Sequence, residues 1–467
     1  MGSITAKRVN FKKTVVIDVV GLSESVIGES TPFLADYVKR NHITRIRPML
    51  PAVTTSVQST YLTGKPPSKH GIVGNGWYDR SDSEIKFWKQ SNHLVLAEKI
   101  WDKAKALDPN FTCSKMFWWY NMYANVDYSV TPRPQYHADG VKAPDCYSLP
   151  EGLRDELQEK FGVFPLFHFW GPKTSIKASQ WIADASMYID QKYDPTLTLI
   201  YLPHLDYCLQ KFSIDSKQSQ RDFTEIDSLL HDLVKYYESK DANVIILSEY
   251  GIVPVNHPIH INRILRESGY LSVRKERWYE LLDAGASKAF AVSDHQIAHI
   301  YLNDKSIKDS LMSMLKGVKG IHLVLDRKAQ KKYQIDHERS GDIVLVADVD
   351  SWFTYYYWLD DKKSPDFAKT VEIHRKPGYD PCEMFFDQGN RWIKLKAAYK
   401  LLRKKLGFRY TMDVISLDAN LVKGSHGAVD IPKQYFPILI SNQKDNQLEI
   451  KANQVYSLIW KSLMKPF

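Results

Sequence analysis

The chain has 467 residues, 44% hydrophobic and 25% charged, with a formal net charge of +9 and 4 cysteines. These proportions lie in the globular range and exclude collagen-like, low-complexity and disulfide-scaffold classes. The positive excess is expected to be spread along the chain without a polybasic block, which favours a small anionic substrate over a nucleic-acid polymer.

Cys113, Cys146, Cys208 and Cys382 form no CxxC pair, which argues against a thiolate metal site. No apolar run reaches the roughly 18 residues of a membrane helix, and no basic-then-apolar leader opens the chain. The expectation is a soluble, cytoplasmic protein without a membrane partner. The Met1-Gly2 start has Ala6 where a myristoylation signal wants Ser or Thr, so lipidation is not expected. No heptad or apolar patch points to an oligomeric state.

In chain order, Lys13 to Val20 (KTVVIDVV) is an apolar, β-branched run that predicts a strand buried on both faces, with Asp18 near its end. Leu197 to Leu202 (LTLIYL) and Asn243 to Leu247 (NVIIL) repeat the pattern, followed by Asp206 and by Ser248-Glu249. Ligands of open α/β sheets sit beyond the carboxyl ends of the strands, so these acids are candidates for one site. Ile226, Leu229, Leu230, Leu233, Val234 and Tyr237 have the spacing of a helix packed on a sheet. The expected fold is a three-layer α/β/α sandwich with a mostly parallel sheet, its core formed by residues 10–255 and 397–467 and a cap inserted at 256–396. A strand over Tyr435 to Ser441 and a helix over Gln454 to Leu463 complete the core.

The richest segment is Pro51 to Tyr78, PAVTTSVQSTYLTGKPPSKHGIVGNGWY. Thr54 precedes an expected helix over Val57 to Leu62, where a hydroxyl meets unpaired N–H groups and the positive end of a helix dipole. N-capping by Thr54, Thr55 and Ser56 is the plainer reading of that cluster. The ordered set Asp18, Thr54, Asp206, Glu249 and His426 in Gly424-Ser425-His426-Gly427 adds weight to the first. With the spacing from Pro51 through Thr54 to Gly64 and with Lys69 to Asn75, it resembles the alkaline phosphatase superfamily, most closely its nucleotide pyrophosphatase/phosphodiesterase branch.

The resemblance implies two divalent cations, usually zinc, and a Thr54 nucleophile that forms a phospho-enzyme. By position, Asp18, Thr54 and Glu249 would bind the metal beside the nucleophile and Asp206 and His426 the second, with Gln210 and Tyr250 at two further ligand positions. Asn75 falls where the branch keeps an amide donor to a phosphoryl oxygen; without the resemblance it reads equally as a turn residue in Gly74-Asn75-Gly76. Gln210 stands where the family has His, and Glu249-Tyr250 where it has Asp-His. Both changes trade imidazole for oxygen, so Mn²⁺, Mg²⁺ or Fe could replace Zn²⁺ and one metal could be lost.

A second alignment would use Ser293-Asp294-His295 as the Asp-His element, and His295 could supply an imidazole from another direction; His299 reads as a satisfied core or surface histidine. His374 and Asp380 are candidates for lining the site from the cap. Phe117 to Tyr120 and Trp352 to Trp358 could stack a flat leaving group or fill the core. No Arg follows Thr54 to clamp a dianionic monoester, so the expected reaction is hydrolysis of a small phosphodiester or pyrophosphate. Phosphonoacetate hydrolase-like C–P cleavage and non-catalytic binding of a phosphorylated ligand are the alternatives.

Overall fold

The computed structural model describes residues 10–138, 140–442 and 447–464; the Met1 to Ala6 start lies outside them. The main sheet is built from β1 (Thr14–Val19), β2 (His42–Arg47), β3 (Cys113–Met116), β4 (Tyr128–Pro132), β5 (Cys146–Leu149), β6 (Leu197–Leu202), β7 (Asn243–Leu247), β12 (Ile438–Ser441) and β13 (Glu449–Lys451). Their order across the sheet is β13-β2-β12-β7-β1-β6-β3-β4-β5. The neighbours β7, β1, β6, β3 and β4 run parallel, and β12 and β5 run antiparallel to them.

Every residue of β1, β6 and β7 is buried, as both-face covering by helices requires of Val- and Ile-rich strands. The flanking helices include α2 (Ile176–Tyr193), α3 (His204–Lys211), α4 (Lys217–Ser239) and α6 (Val455–Leu463). The six apolar residues expected to face the sheet from α4 are all buried. Register places Asp18 opposite Tyr201 and Leu247, so the ends of β1, β6 and β7 leave the sheet at one edge.

On that edge lies α1, Thr54–Thr63, with all 10 residues buried. It begins at Thr54 and not at Val57, and its N-cap residue, Val53, makes no side-chain cap bond. The early start follows from the hydroxyls' partners. Thr55 Oγ1 donates to Gly74 O at 2.8 Å and Ser56 Oγ to Ile72 O at 3.0 Å, while Thr60 Oγ1 meets His70 Nε2 at 2.9 Å. The first turn is thereby tied to the 70–75 loop, and Gly64 ends the helix with φ 66°.

A second sheet of four antiparallel strands contains β8 (Ala289–Asp294), β9 (Ile297–Leu302), β10 (Ile321–Asp326) and β11 (Ile343–Ala347), in the order β8-β9-β11-β10. It has its own hydrophobic cluster, which takes in Ile72, Val73, Trp77 and Phe87 and in which Trp352 to Trp358 are buried as filling. His299 is a core residue: Nε2 meets Val73 O at 3.0 Å and Nδ1 accepts from Gly341 N at 3.0 Å. The Gly424–Gly427 loop is held between the two sheets. Ala52 N donates to Gly427 O at 3.2 Å, and Gln296 N donates to His426 O at 2.9 Å. Gly427 has φ 123°, and a Cβ there would lie 3.1 Å from Gln296 N.

One helix departs from the rest. No residue of α5 (Ile393–Lys405) is buried. Lys396 and Lys400 hold Asp413 at 2.7 and 3.1 Å. Contrary to the sequence expectation, the surface does carry an apolar patch: Trp392, Leu395, Tyr399, Leu402 and Leu406 are all exposed. Their alternation with lysines hides them from a search for apolar runs.

Candidate active site

Thr54 opens onto a cavity of about 1250 Å³ whose floor includes Asp206, Tyr250 and His295 and whose walls include Trp88, Trp119 and Trp170. Asp18, Thr54, Asn75, Asp206, Gln210, Glu249, Tyr250, His295 and His426 are all buried at or beneath this floor. Asp18 arrives from β1, Glu249 and Tyr250 from the loop after β7, Asp206 and Gln210 from α3, and His426 from the 424–427 loop. Glu249 thus follows a strand that pairs directly with β1. Ser293-Asp294-His295 instead ends β8 and enters from the second sheet.

The acids are held by amides. Gln58, one turn along α1 from Thr54, donates Nε2 to Glu249 Oε1 at 2.5 Å and to Asp18 Oδ2 at 3.3 Å, while its Oε1 accepts from Trp119 N at 2.7 Å. Gln210 donates Nε2 to Asp206 Oδ2 at 2.9 Å and accepts from Tyr379 OH at 2.9 Å. Burial pushes the Asp18 and Asp206 carboxyls up to about 7. Burial, with Asp18 as neighbour, pushes Glu249 well above the usual carboxylate range.

Tyr250 OH lies 3.0 Å from Thr54 Oγ1 and donates to Asp206 Oδ1 at 3.3 Å. Burial and the charges of Asp206 and Glu249 hold its phenol well above its ordinary value, which keeps it a proton donor and a poor metal ligand. Its ring stacks on His426 with centroids 3.5 Å apart and planes at 6°. His426 in turn lies 3.8 Å from His295, and His295 3.6 Å from Tyr379, so four rings form one continuous stack.

His426 Nδ1 meets Ala52 O at 2.7 Å. A carbonyl only accepts, so Nδ1 carries the proton and Nε2 keeps a free lone pair. Burial holds the ring neutral, with its ordinary value lowered. Nε2 faces Asp206 Oδ1 at 3.8 Å without a hydrogen-bond partner, and Asp18 Oδ1 and Glu249 Oε2 are likewise buried and unpartnered. Buried acceptors left open are expensive. Two carboxylates beside a Thr hydroxyl, and a carboxylate beside a free imidazole nitrogen, are a donor set that fits divalent cations of oxygen-preferring character. The Gln210 carbonyl accepts from Tyr379 OH, which leaves one of its two lone pairs open.

Asn75 Oδ1 accepts from Thr55 N at 3.1 Å, and its Nδ2 donates to Asp294 Oδ1 at 3.1 Å. Asp294 Oδ2 also accepts from Asn75 N at 2.8 Å, and Asp294 Oδ1 meets His295 Nδ1 at 2.7 Å. Asp294 therefore aims the Asn75 amide, with one of its two hydrogens left for a ligand. Asp380 is not at the site: it is buried in a cluster with Lys376 at 2.7 Å, whose Nζ also meets Glu383 at 2.8 Å. His374 lines the cavity wall, with Nδ1 3.4 Å from Phe87 O. Of the aromatics, Trp119 reaches the cavity and packs on Trp88 at 4.8 Å. Its neighbours Phe117 and Tyr120 have φ 65° and 51°, a strained backbone that aims the segment.

Gln58 and Tyr379 are the site residues that sequence reasoning did not single out, and Asp294 entered it only as the Asp-His element of the second alignment. Gln58 lies one turn from Thr54 on the same helix, and that spacing was the available signal. A separate convergence of His204, Asp222 and Glu225 within 4.8 Å, from α3 and α4, lies outside the cavity lining.

A mostly parallel sheet with this acid-rich edge and a second sheet closing over it is the alkaline phosphatase-like fold. It is shared with phosphonoacetate hydrolase from Sinorhizobium meliloti in complex with phosphonoformate (TM-score 0.62, 14% identity, 97% of this chain and 95% of that one). It is shared also with murine ectonucleotide pyrophosphatase/phosphodiesterase 5, in an inactive form in complex with AMP (TM-score 0.58, 12% identity, 98% and 96%). Residues 14–380 match the type I phosphodiesterase / nucleotide pyrophosphatase family, and the chain belongs to it.

Among relatives, an uncharacterised pyrophosphatase/phosphodiesterase of Schizosaccharomyces pombe is 24% identical over 232 residues, 48% of this chain and 41% of that protein. Ectonucleotide pyrophosphatase/phosphodiesterase 2 of Saccharomyces cerevisiae is 23% identical over 369 residues, 75% of this chain and 66% of that protein. The chain thus spans less than two thirds of either relative's length.

Proposed function

We propose that the protein is a metal-dependent hydrolase of phosphodiester or pyrophosphate bonds in small substrates, with Thr54 as nucleophile. The observation that carries this reading is the placement of the Thr54 hydroxyl at the cavity floor among three unpartnered ligand atoms, Asp18 Oδ1, Glu249 Oε2 and His426 Nε2. Asp18, Glu249 and Thr54 would hold one divalent cation and Asp206 with His426 a second. Such cations supply charge stabilisation at the phosphoryl group and make the Thr hydroxyl more acidic.

The chain's own groups complete the step. Thr54 Oγ1 bonds to phosphorus as the bond from phosphorus to the leaving oxygen breaks, that oxygen taking the electron pair into the cavity; the Thr54 proton passes to Tyr250 OH, whose own proton passes to Asp206 Oδ1, along contacts of 3.0 and 3.3 Å. Asn75 offers its remaining amide hydrogen to a non-bridging oxygen. Arg133, Lys142, Lys173 and Arg375 on the cavity wall suit the anionic remainder of the substrate, and Trp88, Trp119 and Trp170 its flat or apolar part. Water then cleaves the phospho-threonine.

Hydrolysis of a C–P bond is the second reading, favoured by the fold's likeness to phosphonoacetate hydrolase along 97% of the chain. The test is turnover of a chromogenic phosphate diester, the matching monoester and phosphonoacetate, with Zn²⁺, Mn²⁺ or Mg²⁺ added, by wild type and Thr54→Ala. Metal-dependent diester turnover absent in Thr54→Ala supports the proposal. Turnover of phosphonoacetate alone supports the second reading, and a protein that takes up no metal and turns over none of the three is a binder.

A further inference from the structure

Against the expectation of an evenly spread charge, the chain between Arg391 and Tyr410 carries eight Lys or Arg and no acidic residue (RWIKLKAAYKLLRKKLGFRY). On α5 and its first flanking residue, Trp392, Leu395, Tyr399, Leu402 and Leu406 recur at steps of three and four, which places them in one stripe. The stripe is bare: each of the five is more than half exposed, from 53% at Leu402 to 69% at Trp392. At 100° per residue, Lys396 and Arg403 flank it on one side and Arg391, Lys394 and Lys405 on the other. Phe408, also exposed, extends the apolar surface past the helix end. On the other face Ala397, Leu401 and Lys404 line the wall of the large cavity, with Leu401 itself exposed.

We propose that α5 docks the protein on an anionic lipid surface, its apolar stripe entering the headgroup boundary and its flanking cations meeting the lipid phosphates. An apolar stripe edged on both sides by bases, with Trp and Tyr on it, has the composition of an interfacial helix. Charge decides among occupants. A second copy would bring the same eight cations against these, whereas an anionic bilayer neutralises them. Docking needs no assumption about the reaction. If the hydrolase reading also holds, it brings the cavity mouth to the bilayer, where a phosphodiester or pyrophosphate borne on an apolar chain would be presented.

The experiment is co-sedimentation of the full chain with vesicles of phosphatidylcholine alone or with phosphatidylserine added. Wild type is expected to bind the phosphatidylserine vesicles at least about tenfold more than the neutral ones, with loss at high salt. Leu395→Glu with Leu402→Glu is expected to abolish binding. Lys394→Glu with Lys405→Glu is expected to remove the preference for phosphatidylserine. Both pairs lie on the exposed side, so unfolding midpoints equal to wild type show that the loss is one of docking. Equal sedimentation with both vesicles, none with either, or wild-type binding by the charge-reversed pair would overturn the proposal. So would a dimer in solution dispersed by the Leu→Glu pair in a protein that ignores lipid, which would assign the stripe to a second copy.

Discussion

Two helices invert the usual relation between side-chain polarity and burial. α1 reads TTSVQSTYLT and is buried along its whole length, whereas α5 reads IKLKAAYKLLRKK and buries no residue. In α1 the polar atoms find partners inside: Ser59 and Thr63 donate back to the carbonyls one turn before, at 2.7 and 2.6 Å, and Gln58 bridges two carboxylates. In α5 the leucines find none. The contrast teaches that hydrophobicity alone assigned neither helix its place. Hydrogen-bond satisfaction admitted α1 to the interior, and the cations interleaved with the leucines keep α5 at the surface.

The sharpest way to break the comparison is at Thr54. Thr54→Ala keeps a buried helix but removes the nucleophile, and diester turnover should fall by ~10³-fold or more while the far-UV spectrum stays that of wild type. Loss of secondary structure together with activity would mean that the hydroxyl is needed for folding. Gln58→Leu tests the satisfaction argument directly. Asp18, Glu249 and Trp119 N each lose a partner, and denaturant unfolding should show a loss of about 2–3 kcal/mol. Added Mn²⁺ should recover part of it, since a cation at the same carboxylates replaces the missing donor.

A smaller effect concerns pH. Burial holds His299 down at about 4 against an unfolded value of about 6.5. Between these values the unfolded chain binds the additional proton, so this histidine lowers stability as pH falls, by about 1.4 kcal/mol per unit at most. Asp18 and Asp206, raised to about 7, act in the opposite direction. The measurement is therefore the difference between wild type and His299→Gln: relative to the variant, wild type should lose stability from pH 6.5 toward pH 4, and a flat difference would contradict the neutral tautomer. The smallest effect belongs to α5, where Leu395→Ala or Leu402→Ala should change stability by no more than about 0.5 kcal/mol. A larger loss would show that the stripe packs on the protein itself.

Much of the main sheet was legible because buried parallel strands are written as short β-branched runs. β6 and β7 match the apolar segments residue for residue, and β1 differs by one residue at each end. Asp18, Asp206 and Glu249 were legible for the same reason, as polar residues closing or following such runs. Tyr379 was not, and Asp294 was named only as part of the second Asp-His alignment, because docking of one sheet on another leaves no local period. Gln58 looked like an ordinary helical residue until its two carboxylates were in place. Asp380 was misplaced because its partners, Lys376 Nζ and Cys382 N, are local and satisfy it away from the cavity. The α5 stripe escaped a search for apolar runs, since each apolar residue is followed within a few positions by a base.

The order in which the sheet is strung together bears on how the protein comes into being. β12, at residues 438–441, lies between β7 and β2, and β13 pairs outside β2. His426 comes from the same late stretch. A nascent chain that stops short of residue 424 already carries Asp18, Thr54, Asp206 and Glu249. It lacks both the imidazole and the strand that joins the two parts of the sheet. Pairings this distant along the chain form late, so the centre stays incomplete until residues 424–441 are made and the strand at 438–441 inserts.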